Sequence, residues 1–583
     1  MYKNALYNLD PIHNNISLTK LERLIIESTL FNRLNYISQL STAYFVYPSA
    51  NHTRNSHSVG VMYLSTKYFK HSLLNSTSII REDLLFAFEE ELSNIVEVTN
   101  NSDKANRYSG ALIPDEYITE LKNFEINSKE FTESYNVLLQ SLRISALLHD
   151  IGHLPFSHLT ESSLDEIYNL ISDKSKKTEW EEYFCTNFYD YVLTKSEQLH
   201  EIIGYAMISL IKDELIKYTE EDKHKYINII FKITQNILKN EETKFFNYRA
   251  IHDIIASMVD SDRLDYILRD TKSIGTTVSS YDTEKIILNG VFYKNSNNET
   301  IFGLKIDALN EVERFLESRF HLYNQYLFSP ESIKKHQILN QALIRLSVQY
   351  LQNTETSDNH PYKLPLDISG LWLPLRILSN STMSLADATD LLFQYDENWL
   401  LYILKMEYFE LERQFYNSNK DYQFKNSPRT RKQYYGLREI LYGEHQFKSL
   451  WTCKQDFADF LDITVQDIGK IRKIFFLDTK RTIKKFKSIV TQNEKNIDVY
   501  FGIKDFKTGI NNDYLFLVND ENDIIDLRDI SPISKIVSYQ LNTEPPFWFY
   551  VRDRENIEGY IDILKEELQD FSKSLIADYD KRK

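Results

Sequence analysis

The chain has 583 residues but only two cysteines, Cys185 and Cys453, far apart and in no CxxC pair. That excludes a disulfide framework and makes a reducing compartment the natural one. It also lacks any apolar run of about 18 residues, the length a bilayer-spanning helix needs. The opening residues, MYKNALYNLDPIHNN, have no apolar signal-peptide core. These absences predict a soluble cytoplasmic protein with no membrane partner. Positive charge is short as well: 84 acidic residues against 68 basic ones give a net charge of −16. A field of that sign repels polyanions, which argues against nucleic acid as a partner. Any phosphate-bearing substrate must then find cations within its own site.

What is present is ordinary globular composition, 42% hydrophobic and 26% charged, in a chain long enough for more than one lobe. Apolar residues at three-and-four spacing recur in 21–40, 57–71, 137–149, 198–212, 224–239, 250–270 and 306–327, which predicts helices. An acidic, Asn- and Ser-rich tract at about 76–136 reads as an insertion. From about 474 the texture changes: IDVYFGIKDF and DYLFLVND cluster β-formers around TGINN, and a helical 557–575 follows. The expected fold is mainly α, with a core over 1–350, a helical extension over 351–473 and a smaller α+β region over 474–583.

One short stretch concentrates chemistry. LLHDIGHLPFSH, 147–158, holds three of the 14 histidines. His149 ends the buried stripe of Leu142 and Ala146, and Asp150 sets a carboxylate beside it. In an apolar setting that pair is costly unless a cation neutralises it. Alone, a core histidine bonded to a carbonyl is the simpler reading. NHTRNSHSVGVMYL places His57 on the apolar face of Val61 and Leu64, with Arg54 one turn earlier. MVDSDRLDYILRDT sets Asp262, Tyr266 and Arg269 on one helix face, with Arg263 and Asp270 beside it. QLHEIIGYAMISL puts His200 at the head of an apolar stripe, and Gly204 rules out the HExxH zinc-protease pattern.

Taken in order, His57, His149–Asp150 and Asp262 resemble the H…HD…D signature of the HD-domain metal-dependent phosphohydrolases. The flanks resemble one branch of that family, the deoxynucleoside triphosphate triphosphohydrolases, which includes bacterial dGTPase-like enzymes and the vertebrate SAM-and-HD-domain enzyme. The matching blocks are DPIHNNISL, RLNYISQLSTAYFVYPSANHTRNSHSVGVMYL, ALLHDIGHLPFSH, LHEIIGYAMI and VDSDRLDYILRDT. The likeness is dense over about 9–71 and 141–275 and looser to about 345. No separate SAM domain is expected ahead of the core.

The resemblance implies an HD-domain helical core and hydrolysis of a dNTP at the α-phosphate to deoxynucleoside and tripolyphosphate. It implies a divalent metal (Mn, Fe, Mg or Zn) on His57, His149, Asp150 and Asp262. By motif position His200 is the general acid, Glu161 its support, and His153 and His158 face the α-phosphate. Arg54 and Arg263 correspond to phosphate contacts, Gln39 and Asp270 to 3′-hydroxyl contacts, Leu40 to the group crowding the 2′ position, and Tyr266 to a sugar wall. Relatives assemble as dimers, tetramers or hexamers, so a homo-oligomer is expected.

The chain also departs from its relatives. Leu327 and Ser329, followed by Pro330, stand where bacterial members have Tyr-x-His, which leaves base and sugar selectivity open. Glu27, Asn32 and Asn35 replace the Asp, Gln and Arg of the vertebrate activator site, so a nucleotide allosteric effector is left open too. Two other functions compete: a nucleotide-sensing or partner-controlled effector, and an HD-type nuclease or phosphodiesterase. Depletion of dNTPs in antiphage defence is the biological role the resemblance suggests.

Overall fold

An aspartate side chain closes the first hairpin. Strands β1 (Leu6–Asp10) and β2 (Asn14–Leu18) pair antiparallel, and Asp10 Oδ1 accepts from the backbone N–H of Ile12 and His13 at 2.8 Å each. Asn14 leaves the turn at a φ of 62°, which asparagine tolerates. The structure, a computed structural model, describes residues 6–100, 132–195, 197–277, 281–353, 364–379, 384–417, 427–504, 515–519, 523–552 and 557–582.

The core is helical. α1 (Arg54–Asn75), α2 (Ser78–Asn100), α3 (Thr132–Leu148), α4 (His158–Ile171), α5 (Leu199–Tyr218), α6 (Glu221–Leu238) and α7 (Ser261–Ile274) follow in order. Every residue of α3 from Ser134 to Leu148 is buried, and a helix buried all round belongs at the centre. It packs against both α1 and α6, while α7 packs on α1. No described helix is long and apolar enough to cross a membrane.

Strands β3 (Gly290–Lys294) and β4 (Thr300–Lys305) lead to α8 (Leu309–His321) and α9 (Pro330–Gln352). Ser329 caps α9 by accepting from Ser332 N, with Pro330 at the first helical position. Ser329 and Pro330 thus form a helix start, while Leu327 ends the preceding π-helical turn, Leu322–Leu327. Beyond lie α10 (Glu397–Asn417), α11 (Pro428–Tyr442), β5 (Phe447–Ser449), α12 (Asp467–Leu477), α13 (Thr479–Asn493), β6 (Val499–Ile503), β7 (Phe516–Val518), β8 (Ile524–Asp526), β9 (Phe547–Arg552) and α14 (Glu558–Arg582). One sheet runs β5-β9-β6, all antiparallel; the other runs β3-β4-β7-β8, with β4 and β7 parallel.

The expected boundaries differ from this arrangement in two places. The C-terminal sheet starts at Phe447, before residue 474, because a three-residue strand carries too little alternation to register as one. Strand β7 pairs with β4 of the core, so the two regions share a sheet. Within the expected insertion at 76–136, α2 buries Leu84, Leu85, Phe88 and Leu92 against the core. Residues 101–131 of that tract lie outside the described residues.

Candidate active site

The start of α1, the end of α3 and the start of α7 meet at one point. His57 Nε2 lies 2.9 Å from Asp262 Oδ1 and 3.6 Å from Asp150 Oδ2. His149 Nε2 lies 3.5 Å from Asp150 Oδ1 and 3.6 Å from Asp262 Oδ1. Each ring is anchored through its other nitrogen: His57 Nδ1 is 2.8 Å from Asp265 Oδ2, and His149 Nδ1 is 2.8 Å from the Ala146 carbonyl. Both Nε2 atoms are buried and face carboxylate oxygens at 2.9–3.6 Å without hydrogen-bond geometry to them. Two buried imidazole nitrogens facing two carboxylates fit a divalent cation. Burial opposes charge on His57, but Asp262 and Asp265 outweigh it and push the imidazole up to about 10, so a proton competes for this place. Burial also opposes ionisation of Asp150, yet Arg54, His149 and His153 hold its carboxyl well below the usual range.

Asp265 organises the floor. It accepts from Arg269 Nε at 2.8 Å, lies 2.7 Å from His13 Nε2, and is fully buried. Gly60 of α1 is required here, because a Cβ would stand 2.0 Å from Asp265 Oδ1.

A second imidazole group adjoins the first. His200 Nδ1 is 3.0 Å from Glu161 Oε1, His158 Nδ1 is 3.7 Å from Oε2, and His153 Nδ1 is 3.9 Å from Oε1. The His153 and His200 rings stack at 4.2 Å with planes only 10° apart. The ligand atoms of His153, His158, Glu161 and His200 also lie close enough to hold an ion, but two stacked parallel rings cannot both hold one in their planes, whereas His57 and His149, at 69°, suit a shared metal. Burial opposes the charge on Glu161, but His158 and His200 hold its carboxyl well below the usual range. His153 is 3% exposed, with Nε2 3.1 Å from Asp150 Oδ1, so it holds that carboxylate more than it meets solvent; His158 is 65% exposed.

The turn between the groups is shaped by two left-handed residues, Phe156, at a φ of 57°, and Ser157, at 52°. Gly152 serves packing: a Cβ there would stand 2.0 Å from the His200 carbonyl oxygen and 2.3 Å from Gly204 N. Both are backbone atoms that cannot yield, so Gly152→Ala should lose about 3 kcal/mol of stability. Urea unfolding measures this, and an unchanged midpoint would refute the packing role.

A cavity of about 1310 Å³ connects these groups to the expected substrate residues. Gln39, Leu40, Arg54, Arg263, Tyr266 and Asp270 line it together with His149, Asp150, His153, His158, His200 and Asp262, while His57 and Glu161 lie behind its wall. Arg54 bonds Asp150 and donates to Ser157 Oγ from Nε at 3.1 Å. Arg263 Nε is 3.7 Å from Asp260 Oδ2. Asp270 is 2.8 Å from His52 Nε2, and the Tyr266 hydroxyl accepts from Arg319 Nε at 3.1 Å. Sequence reasoning missed Asp265, three residues past Asp262, and His52, two before Arg54; both sit inside the blocks already singled out. It had no signal for Phe501, Ile503 and Lys487, which bring the C-terminal region to the cavity wall.

No family model matches the chain. It is 23% identical over 351 residues to the putative HD domain-containing protein L394 of Acanthamoeba polyphaga mimivirus, covering 59% of this chain and 58% of that one. It is 26% identical over 271 residues to the deoxynucleoside triphosphate triphosphohydrolase SAMHD1 homolog of Dictyostelium discoideum, covering 46% and 36%. The chain spans between 36% and 63% of the length of the first curated relatives it matches. A solved phosphohydrolase from Bacteroides thetaiotaomicron superposes with a TM-score of 0.52 at 16% identity, over 94% of this chain and all of that one, which shows a shared fold. The chain is thus similar in sequence to an HD domain-containing protein and to a dNTP triphosphohydrolase homolog, and similar in fold to a solved phosphohydrolase.

Proposed function

We propose that the protein is a metal-dependent deoxynucleoside triphosphate triphosphohydrolase. Water attacks the α-phosphorus, the deoxynucleoside leaves, and tripolyphosphate is released. The observation that carries this reading is the pair of buried imidazole nitrogens facing two carboxylates, beside a separate His–Glu group, on one cavity. His57, His149, Asp150 and Asp262 would hold the divalent ion. When bound, such an ion supplies Lewis acidity toward a phosphoryl oxygen and acidifies water. His200 gives the leaving 5′ oxygen its proton: Glu161 holds Nδ1 and leaves Nε2 for transfer. His158 and Arg263 meet the phosphates, with Arg54 joining them on the wall where it also holds Asp150. Gln39 and Asp270 hold the 3′-hydroxyl, while Leu40 and Tyr266 wall the sugar, which favours deoxyribose. Assembly as a homo-oligomer and a part in antiphage dNTP depletion belong to the same proposal.

Incubation with each of the four dNTPs and with Mn, Fe, Mg or Zn, followed by product identification, tests it. Tripolyphosphate with deoxynucleoside is the expected pair. Orthophosphate or pyrophosphate without tripolyphosphate would overturn the reading.

A further inference from the structure

Two loops must keep register for the proposed reaction, and one oxygen from outside the expected core joins them. Glu397 opens α10 and is 7% exposed. Its Oε1 accepts from Ser38 N at 3.0 Å, from Ser38 Oγ at 2.8 Å and from Phe156 N at 3.1 Å. Ser38 immediately precedes Gln39 and Leu40 on the sugar side. Phe156 immediately precedes Ser157, whose hydroxyl receives Arg54 on the phosphate side. Three donors on one buried carboxylate oxygen make a strong, directional junction.

The neighbouring residues reinforce it. Arg33, fully buried, donates from Nε to the Tyr395 carbonyl at 2.7 Å and from Nη2 to the His153 carbonyl at 2.6 Å. Ser41 Oγ donates to the Phe156 carbonyl at 2.8 Å. The backbone clamped this way holds Phe156 and Ser157 in left-handed conformations that non-glycine residues adopt only under restraint. Glu397 does not line the cavity, so it touches no substrate.

We propose that Glu397 is a positioning residue: it fixes the loop carrying Gln39 and Leu40 against the turn carrying Ser157 and His158, making catalysis depend on the extension beyond the core. Its kinetic consequences rest on the proposed reaction; the contact itself does not. Glu397→Gln keeps an acceptor at Oε1 without the charge, whereas Glu397→Asp keeps the charge and withdraws the oxygen by about one methylene. Glu397→Ala removes both.

Hydrogen exchange of the Ser38 and Phe156 amides reads the junction without any substrate. Exchange should accelerate about tenfold or more in Glu397→Ala and stay protected in Glu397→Gln. In turnover, kcat/KM for the dNTP should fall about 100-fold in Glu397→Ala, the cost of a misplacement near 1 Å. Glu397→Asp should fall about tenfold with unchanged metal content, and Glu397→Gln should stay within about threefold of wild type. The ratio of dNTP to ribonucleotide turnover should narrow in Glu397→Ala and Glu397→Asp, an effect that mere destabilisation would not produce. Wild-type behaviour of Glu397→Asp beside an inactive Glu397→Gln would make charge the function and overturn the proposal. Unchanged amide exchange in Glu397→Ala would overturn it as well. Should Glu397→Ala fail to fold, Glu397→Asp and Glu397→Gln decide the matter. If wild type turns over no dNTP, the proposed reaction falls while the exchange arm still decides this inference.

Discussion

Asp150→Asn should lower dNTP turnover by about a thousandfold and strip the protein of its divalent metal. Four cationic or imidazole groups approach its carboxylate together: Arg54, His57, His149 and His153. Asparagine keeps the shape and one oxygen but removes the charge that a cation and Arg54 both need. A bound ion contributes several kcal/mol to phosphoryl chemistry, and at 1.36 kcal/mol per decade three decades correspond to about 4 kcal/mol. Arg54 keeps its two bonds to Ser157 Oγ, at 3.0 and 3.1 Å, so the turn retains an anchor and the fold should persist. Elemental analysis of the purified variant, alongside circular dichroism and initial rates, makes the measurement. A folded variant that keeps both its metal and its turnover would remove Asp150 from the site. Chelation of the wild type followed by metal return should reproduce the loss and then reverse it.

The ease of reading this site from sequence followed its local character. His57 and Asp262 sit on helices of continuous apolar spacing and His149 directly follows one, so periodicity placed them beside buried faces; the family resemblance grouped them, and the structure brings them within reach of one point. Arg269 shows the limit of that reasoning. The face it shares with Asp262 could pass for a solvated ion-pair stripe, yet Arg269 is 2% exposed and bonds Asp265 and Asp10. Asp10 lies in a hairpin more than 250 residues away, and no local pattern announces such a partner. Glu397 is the extreme case: its three donors come from Ser38 and Phe156, and nothing near DENWLL suggests an acceptor for two distant loops. Gly152 is a similar case: it is spared a side chain so that α5 can close on it, and no local pattern announces that contact. Fold class was legible because helices repeat every few residues. The strand pairing of β4 with β7 was not, since parallel partners so far apart leave no periodic trace.

His200→Ala should cost between about 10² and 10⁴ in kcat, the range of a lost general acid. The residue stands where α5 begins, with Nδ1 fixed on a carboxylate that stays ionised and its ring stacked on His153. Glu161 thereby aims Nε2, much as a buried carboxylate orients the histidine of a hydrolase triad. Glu161→Gln keeps an acceptor for Nδ1 but not the charge, so its loss should be smaller, about tenfold, with KM nearly unchanged. Because the two residues act as one unit, the double variant should be no slower than His200→Ala by itself. A lost rate alone does not separate acid catalysis from simple binding of phosphate. Leaving-group chemistry gives the sharper discrimination. A substrate analogue with sulfur in place of the bridging 5′ oxygen departs as a thiolate and needs no proton. His200→Ala should therefore turn it over within about tenfold of wild type, while remaining crippled on the natural oxygen ester. Equal losses on both substrates would mean that His200 binds phosphate instead of donating a proton, and the acid would then have to be sought at His158, the exposed member of the same group.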